Sequence, residues 1–240
     1  MTYIEGFVAA VPADKKDAYK DHATRAAPLF KEFGASRMVE NWGDEVPDGK
    51  VNDFKGAVQA KDGEVVVFSW IEYPDKATRD AAVQKIMSDE RMEAMGADMP
   101  FDGKRMIVGG FDAMLDDGEG GTLGYVDGYL LPVTPENRDG YREAAKIASE
   151  VFRENGATRV VETWGDDVPT GKVTDYARAV HAKDGEQVVY SWVEWPSKAA
   201  RDAGMAKVMA DPRMQHDPDK PDTFDGQRMI YGGFAPLLDA

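Results

Sequence analysis

The chain is an internal duplication, because residues 3–93 align with residues 125–215 at one constant offset and without a gap. Roughly half of the paired positions are identical, as expected of a true repeat. ENWGDEVPDGKVNDF (40–54) returns as ETWGDDVPTGKVTDY (162–176), and PFDGKRMIVGGF (100–111) returns as TFDGQRMIYGGF (223–234). The duplication predicts two like domains, at 1–116 and 125–240, joined by an acidic, glycine-rich linker at 117–124.

The charge balance argues against a polyanionic partner. The net charge is -15, from 44 acidic and 29 basic residues, so the average field around the molecule repels phosphates and anionic lipids. No cluster of Lys and Arg with interleaved aromatic residues interrupts this balance. We therefore expect no nucleic-acid partner.

Composition also limits the compartment and the kinds of site. No apolar run approaches the roughly 20 residues that a membrane-spanning helix needs, and MTYIEGF does not resemble the start of a signal peptide. The chain has no cysteine, which excludes disulfides, thiolate metal sites and a cysteine nucleophile. We expect a cytoplasmic protein without a membrane partner.

In each repeat a strand is followed by a helix, then by a central strand or hairpin, then by a second helix and a last strand. This is the split βαβ pattern of a ferredoxin-like domain, here with an extra strand expected near residues 54–60. The strand at 65–73 is apolar on both faces, so both faces of its sheet must be covered. Helices cover only one face of such a sheet, and the other repeat is the obvious cover for the second. The predicted fold is α+β, with two ferredoxin-like domains packing sheet to sheet as an intramolecular α/β barrel.

Two assemblies are compatible with that barrel. The chain is either a monomer with an internal pseudo-dimer or a homodimer formed through its outer surfaces. Pro28 stands inside the first helical stripe, where it is expected to bend or interrupt the helix.

Strand alternation places acidic side chains beside aromatic ones in both repeats. If these faces look into the barrel, each repeat has an aromatic pocket in which burial would raise the pKa of a carboxyl group toward neutrality. Arg105 and Arg228 are the expected counter-charges for those acids, although such pairing more often serves the fold than a reaction. The candidate ligand-binding residues are Glu40, Trp42, Trp70, Glu72, Arg105 and their counterparts Glu162, Trp164, Trp192, Glu194 and Arg228.

Histidine is too scarce for a site present in both repeats. His22, His181 and His216 are the three histidines of the chain, and none has a histidine at the equivalent position of the other repeat. A repeated haem ligand, zinc site or Ser-His-Asp triad is thereby excluded. We expect no metal and no cofactor.

YIEGFV, FSWIEYPDKATRD, SDERM and MPFDGKRMIVGGF resemble the YbaA-like family of small bacterial proteins, a domain of unknown function in the dimeric α/β-barrel superfamily. The resemblance covers each half of the chain and implies that one chain builds the pair that single-copy members would form as homodimers. The second repeat departs from the motif at Thr223 and Gln227. The superfamily includes cofactor-independent monooxygenases and isomerases, but membership alone assigns no reaction.

Two functional hypotheses follow. In the first, the barrel binds a small apolar or aromatic molecule, and a carboxylate supports isomerisation or cofactor-free oxygenation. In the second, the protein is a non-enzymatic binding or stress-related module, whose acidic, arginine and tryptophan residues hold the fold together. A cavity with an unpaired carboxylate would favour the first hypothesis.

Overall fold

The computed structural model describes residues 2–215 and 222–240, and the two repeats share one order of elements except that the first has one more α-helix among these residues. The first repeat contains β1 (Tyr3–Pro12), α1 (Lys16–Glu32), β2 (Arg37–Glu45), α2 (Phe54–Ala57), β3 (Glu64–Tyr73), α3 (Lys76–Ser88), α4 (Glu90–Ala97) and β4 (Ile107–Asp117). The second contains β5 (Tyr125–Val133), α5 (Arg138–Glu154), β6 (Arg159–Asp167), α6 (Tyr176–Ala179), β7 (Gln187–Trp195), α7 (Lys198–Val208) and β8 (Ile230–Asp239).

The eight strands form one closed antiparallel barrel in the order β1-β3-β2-β8-β5-β7-β6-β4. Each repeat contributes four neighbouring strands, and the repeats join edge to edge where β2 pairs with β8 and β4 pairs with β6. Closure leaves neither sheet with an unpaired edge. The predicted α+β barrel within a single chain is confirmed at this level.

Aromatic rings fill the barrel. Phe68 and Tyr190 stack with their ring centroids 4.5 Å apart and their planes 7° apart. The rings fit because Gly6 and Gly128 lie on the strands that face them: a Cβ at Gly6 would come within 2.9 Å of the Tyr190 ring, and one at Gly128 within 2.9 Å of the Phe68 ring. The apolar inner face of β3 is thus covered by the other repeat, as its sequence predicts.

The extra strand predicted near residues 54–60 is wrong, because this segment forms the short helix α2. Asp53 accepts a hydrogen bond from Gly56 N and caps α2, while Asp175 caps α6 in the same way. Phe54 and Tyr176 are fully buried and belong to the core cluster inside the barrel. The apolar residues of this segment are spaced as in a strand, but they form a short helix that fills the mouth of the barrel. The barrel mouth buries them, and Asp53 or Asp175 caps the helix.

The longer helices lie outside the barrel, against the outer face of the sheet. Helices α3 and α7 follow Pro74 and Pro196, and Asp75 and Ser197 cap them through their side chains. Helix α1 continues through Pro28 without interruption. Pro28 is exposed, so water can bond to the backbone carbonyl that proline, which has no N–H, leaves without its helical donor.

Within residues 2–215 and 222–240, no helix combines the length and the apolar character needed to cross a membrane.

Candidate functional site

The structure distributes the predicted site residues over three separate places. Because cross-strand partners share a face of the sheet, the register decides which side chains meet. Glu40 is paired with Ser69, so it lies on the opposite face from Trp70. The set that points into the barrel consists of Trp70, Glu72, Trp192 and Glu194. The set on the outer face consists of Glu40, Trp42, Glu162 and Trp164. Arg105 and Arg228 form the third set, near the short helices α2 and α6.

The first set closes one end of the barrel with an ionic network that joins the repeats. Arg37 Nη1 lies 2.8 Å from Glu194 Oε1, and Arg159 Nη1 lies 2.8 Å from Glu72 Oε1. Each glutamate also accepts a 3.1 Å hydrogen bond from the indole of the tryptophan two residues earlier. Both carboxylates are therefore fully engaged by groups of the fold, and each arginine holds a glutamate of the other repeat.

The prediction that Arg105 and Arg228 are the counter-charges of these acids is wrong. Arg105 Nη2 lies 2.7 Å from Glu64 Oε1, and Arg228 Nη2 donates at 2.8 Å to Glu186 Oε1. Each arginine also donates to the carbonyl of a residue with positive φ just after the short helix α2 or α6: Arg105 to Gln59 and Arg228 to His181. Each arginine ends a short 3-10 turn just before the last strand of its repeat. Glu64 is the first residue of β3 and Glu186 directly precedes β7, so the two ion pairs hold these turns against the start of the central strands.

Glu40 lies on the outer face of β2, beneath α1. Its Oε2 accepts a 2.6 Å hydrogen bond from the Tyr19 hydroxyl and a second, short one from the Ser69 hydroxyl. Tyr19 comes from the buried stripe of α1 and Ser69 from the neighbouring strand. Residues of α1 and β3 thus hold one carboxyl oxygen of Glu40 in place.

Beside Glu40, a cavity of about 380 Å³ lies between the sheet and α1, α3 and α4 and is partly open to solvent. Its walls are mostly apolar, and several are flexible methionine side chains, which adapt readily to different ligand shapes. Polar groups reach the cavity at few positions. The polar residues that line it are Glu5, Tyr19, His22 and Glu40.

Glu40 presents one free oxygen to this cavity. Both of its hydrogen bonds end on Oε2, so Oε1 has no hydrogen-bond partner within the described part of the chain. Burial raises the pKa of Glu40 above its usual range, and the hydrogen bonds from Ser69 and Tyr19 oppose that shift. A raised pKa brings such a carboxyl group closer to the range in which it can exchange a proton with a ligand.

Two more titratable groups face the same cavity. Burial raises the pKa of Glu5, while the adjacent Arg79 guanidinium, 3.0 Å from Glu5 Oε1, opposes the shift. Burial lowers the pKa of His22, with Arg25 adding to the effect. The Nδ1 atom of His22 is buried and has no hydrogen-bond partner. The cavity therefore combines an imidazole whose pKa is lowered with two carboxyl groups whose pKa values are raised.

The second repeat preserves part of this arrangement. The Tyr141 hydroxyl donates a 2.7 Å hydrogen bond to Glu162 Oε2, and burial raises the pKa of Glu162 to about 7. Ala144 stands where His22 stands in the first repeat. The segment equivalent to the end of α4 includes residues 216–221, and both that segment and His216 lie outside the described residues.

Trp42 and Trp164 cover the sheet near these tyrosines and make no polar contact with the cavity. The Lys16 ammonium lies 5.3 Å from the Trp42 ring centroid, and the Arg138 guanidinium carbon lies 5.1 Å from that of Trp164. Among the described residues, no group of three or more His, Asp or Glu side chains is placed to hold a metal ion.

Sequence reasoning missed Tyr19, His22 and Glu5 as cavity residues, and Ser69 as a hydrogen-bond donor to Glu40. Tyr19 and His22 are one helical turn apart, so a polar pair on the apolar stripe of α1 was the available signal. Glu5 shares its face of β1 with Tyr3 and Phe7, which marked it as a carboxylate among aromatic rings. Ser69 carried no signal without the register.

An eight-stranded barrel with helices outside it, and a cavity between sheet and helices, defines an α/β-barrel protein built from two repeats. The family model described as "Protein of unknown function (DUF1428)" matches residues 2–103 and 124–226, and the chain belongs to this family. It is 66% identical over 117 residues to the uncharacterised protein YbaA of Escherichia coli K12 and, equally, of Shigella flexneri. The match covers 49% of this chain and 100% of each relative. The resemblance to the YbaA-like family is confirmed.

Solved structures share the whole fold at low sequence identity. A crystal structure from Fusobacterium nucleatum, provisionally described as a monooxygenase, superposes with a TM-score of 0.60 at 12% identity, covering 99% of this chain and 93% of that one. A second protein with the same provisional description, from Lactobacillus acidophilus, gives 0.59 at 11% identity, covering 100% and 96%. An anthrone oxidase-like protein gives 0.57 at 12% identity, covering 100% and 92%. These likenesses show the α/β-barrel fold.

Proposed function

We propose that the protein binds a small, largely apolar molecule carrying a hydroxyl or carbonyl group in the cavity beneath α1 of the first repeat. The observation that carries this proposal is the free Oε1 of Glu40 at the wall of an apolar cavity. A carboxyl group held by Tyr19 and Ser69 on its other oxygen is oriented before a ligand arrives. Apolar walls with few oriented polar groups are typical of small-molecule sites.

The chemistry that best fits this site is proton transfer. Glu40 Oε1 would take a proton from a carbon next to a ligand carbonyl, and returning the proton to a different carbon completes an isomerisation. Oxygenation would further require dioxygen to accept electrons from the ligand anion. The provisional monooxygenase descriptions of two structural neighbours support small-molecule chemistry in this fold.

A non-enzymatic binding function is the second candidate. In its favour, Glu72, Glu194, Arg105 and Arg228 are all held in ion pairs of the fold. These residues then stabilise the barrel, and the proposed ligand site does not include them. The two candidates share the cavity and differ in whether Glu40 moves a proton.

We also propose how the chain is divided into domains and how it assembles. Each repeat, at 1–116 and 125–240 around the linker 117–124, is taken as a ferredoxin-like domain, which the strand order β4-β1-β3-β2 of the first repeat supports. Because the barrel closes within one chain, we propose an internal pseudo-dimer that is either a monomer or a homodimer through its outer surfaces. We also propose that it is cytoplasmic. A crystal structure in which strands are exchanged between chains would contradict this assembly.

Binding is tested by calorimetric titration with biphenyl and 4-phenylphenol, which differ by one hydroxyl group. We expect 4-phenylphenol to bind more tightly to the wild type, and Glu40→Gln to weaken it about tenfold, as expected for a hydrogen bond to a charged group. Glu162→Gln is the matched control in the second repeat. Equal binding by wild type and Glu40→Gln, or no binding at all, would contradict the proposed site.

Proton transfer is tested separately with 2-tetralone in deuterated buffer. Mass spectrometry reports deuterium incorporation next to the carbonyl. The enzymatic hypothesis predicts exchange faster than in buffer, lost in Glu40→Gln and kept in Glu162→Gln. Binding of 2-tetralone without accelerated exchange would leave the non-enzymatic candidate.

A further inference from the structure

The polar groups that line the cavity beneath α1 are unequal in what they offer a ligand. Glu5 and Glu40 line it with carboxyl groups, which in their ionised form only accept hydrogen bonds. The Tyr19 hydroxyl also lines it, but its hydrogen is already donated to Glu40 Oε2. Among the described residues that line the cavity, His22 therefore carries the side-chain donor that remains for a ligand.

His22 lies on the side of α1 that faces this cavity. It follows Tyr19 by one helical turn, and Tyr19 and Ala23 line the same cavity. Ala18 and Arg25, on the neighbouring stripe of α1, instead line a groove on the protein surface that does not include His22. The ring is therefore placed where a ligand beneath α1 can reach it.

The surroundings of the His22 ring decide which nitrogen carries its proton. Nδ1 is buried and has no hydrogen-bond partner, whereas Nε2 is not buried in this way. A proton on Nδ1 would bury an N–H donor without an acceptor, which is rarer in proteins than an acceptor without a donor. A charged ring would carry the same N–H, and burial is the largest cause of the lowered pKa of His22. The neutral ring thus presents Nε2–H as an accessible donor.

The second repeat keeps the acceptor without this donor. Tyr141 donates to Glu162 as Tyr19 does to Glu40, but Ala144 stands at the position of His22. The imidazole therefore distinguishes the cavity of the first repeat.

We propose that His22 Nε2 donates a hydrogen bond to a carbonyl oxygen of the ligand, while Glu40 Oε1 accepts one from its hydroxyl group. This inference rests on the proposed function, because it concerns the same cavity. It narrows the ligand to an apolar hydroxyketone, in which one polar group donates and the other accepts. A carboxylate in place of the carbonyl group would bring a further negative charge to Glu5 and Glu40.

The test compares 4-hydroxybenzophenone with 4-benzylphenol by calorimetric titration at pH 7. The two molecules share both rings and the hydroxyl group, and they differ in a carbonyl group that replaces a methylene group. We expect the ketone to bind the wild type roughly threefold to tenfold more tightly, the range of one added hydrogen bond.

Variants of His22 show whether this gain comes from the imidazole. His22→Phe keeps a ring and removes both nitrogens, including the buried one without a partner, so it should fold normally and lose the gain. His22→Gln should restore part of it, because its amide group can donate from nearly the position of Nε2. Glu162→Gln, the control in the second repeat, should keep the gain.

Equal ratios of the two dissociation constants in the wild type and in His22→Phe would overturn the proposed donor. If 4-benzylphenol still required Glu40 in that case, the proposed function would stand without it. If neither phenol bound the wild type, both proposals would fail.

The tautomer gives a second readout that needs no ligand. The chain has three histidines, so two-bond proton–nitrogen correlation spectra at pH 8 contain few ring signals, and their loss in His22→Phe assigns His22. We expect a neutral ring with its proton on Nε2. A proton on Nδ1 in the free protein would contradict the proposed donor.

Discussion

Trp70 and Trp192 stack across the interior of the barrel with their ring centroids 4.3 Å apart and their planes 26° apart. They occupy equivalent positions of the two repeats, and each indole donates to the glutamate two residues later in its own strand. The arginine nearest to each of those glutamates comes from the other repeat. Stacking and ion pairing thus join the repeats at one place.

Trp70→Ala should lower the free energy of unfolding by about 3 to 5 kcal/mol, because it removes a fully buried ring and leaves a cavity. The doubly substituted protein with Trp192→Ala should reveal a coupling of about 0.5 to 1.5 kcal/mol, as found for aromatic pairs. Guanidinium unfolding of the four proteins measures both quantities. Additive effects would show that the contact contributes nothing beyond burial.

Gly6→Ala should destabilise the protein by about 1 to 3 kcal/mol, since its methyl group would meet the Tyr190 ring and overpack the barrel. Gly96→Ala is the control in helix α4, where an added Cβ meets no atom within 4 Å. That substitution should leave stability unchanged or raise it by up to about 1 kcal/mol. Thermal unfolding of both variants gives the comparison, and equal stabilities would refute the close packing.

Arg159→Met should cost about 3 kcal/mol, because it removes a principal partner of the buried Glu72 carboxylate. Adding Glu72→Gln should restore part of the loss by removing the uncompensated charge. Arg91→Met is the control: its partners Asp89 and Glu32 lie at the surface, and it should unfold like the wild type in urea. An Arg159 variant as stable as the control would show that the network does not join the repeats.

Much of the architecture could be predicted from the sequence. Each repeat has a split βαβ pattern whose central strand is apolar on both faces, so each sheet needs the other repeat to cover the face that its helices leave open. The helical plugs could not, because Phe54 and Tyr176 are apolar residues whose environment, the barrel mouth, exists only after closure. Register was the other missing quantity. Period-two alternation places Glu40 and Trp70 on faces of their own strands, but only the pairing of Glu40 with Ser69 shows that these faces are opposite.

That register explains why the candidate site was only partly predictable. Glu40 was identified as a buried carboxyl group near aromatic rings, and the structure finds it beside a cavity. Its partners Tyr19 and Ser69 come from different elements, and their convergence is a tertiary effect. Arg105 was assigned to the wrong acids, because its position in the sequence near the start of a strand does not show which turn of the fold packs against it.

Glu162→Gln should change how stability depends on pH. Burial raises the pKa of Glu162 from 4.5 to about 7, so the native state retains a proton that the unfolded chain releases. Its contribution to stability is complete below about pH 4.5 and is lost as the pH rises through 7, by up to about 3 kcal/mol. Urea unfolding at pH 5 and pH 8 should therefore show a smaller decline for Glu162→Gln than for the wild type.

The control for this pH experiment is Glu143→Gln, on the exposed side of α5. It should follow the wild type at both pH values. A Glu162 variant that declines as steeply as the wild type would mean that the buried carboxyl group titrates normally.

The central claim is that the cavity beneath α1 of the first repeat binds a ligand through Glu40. A crystal structure of the protein soaked with 4-phenylphenol tests it most directly. We expect the ligand between the sheet and α4, with its hydroxyl group within hydrogen-bond distance of Glu40 Oε1. An empty cavity, or a ligand whose hydroxyl group lies away from Glu40, would contradict the claim.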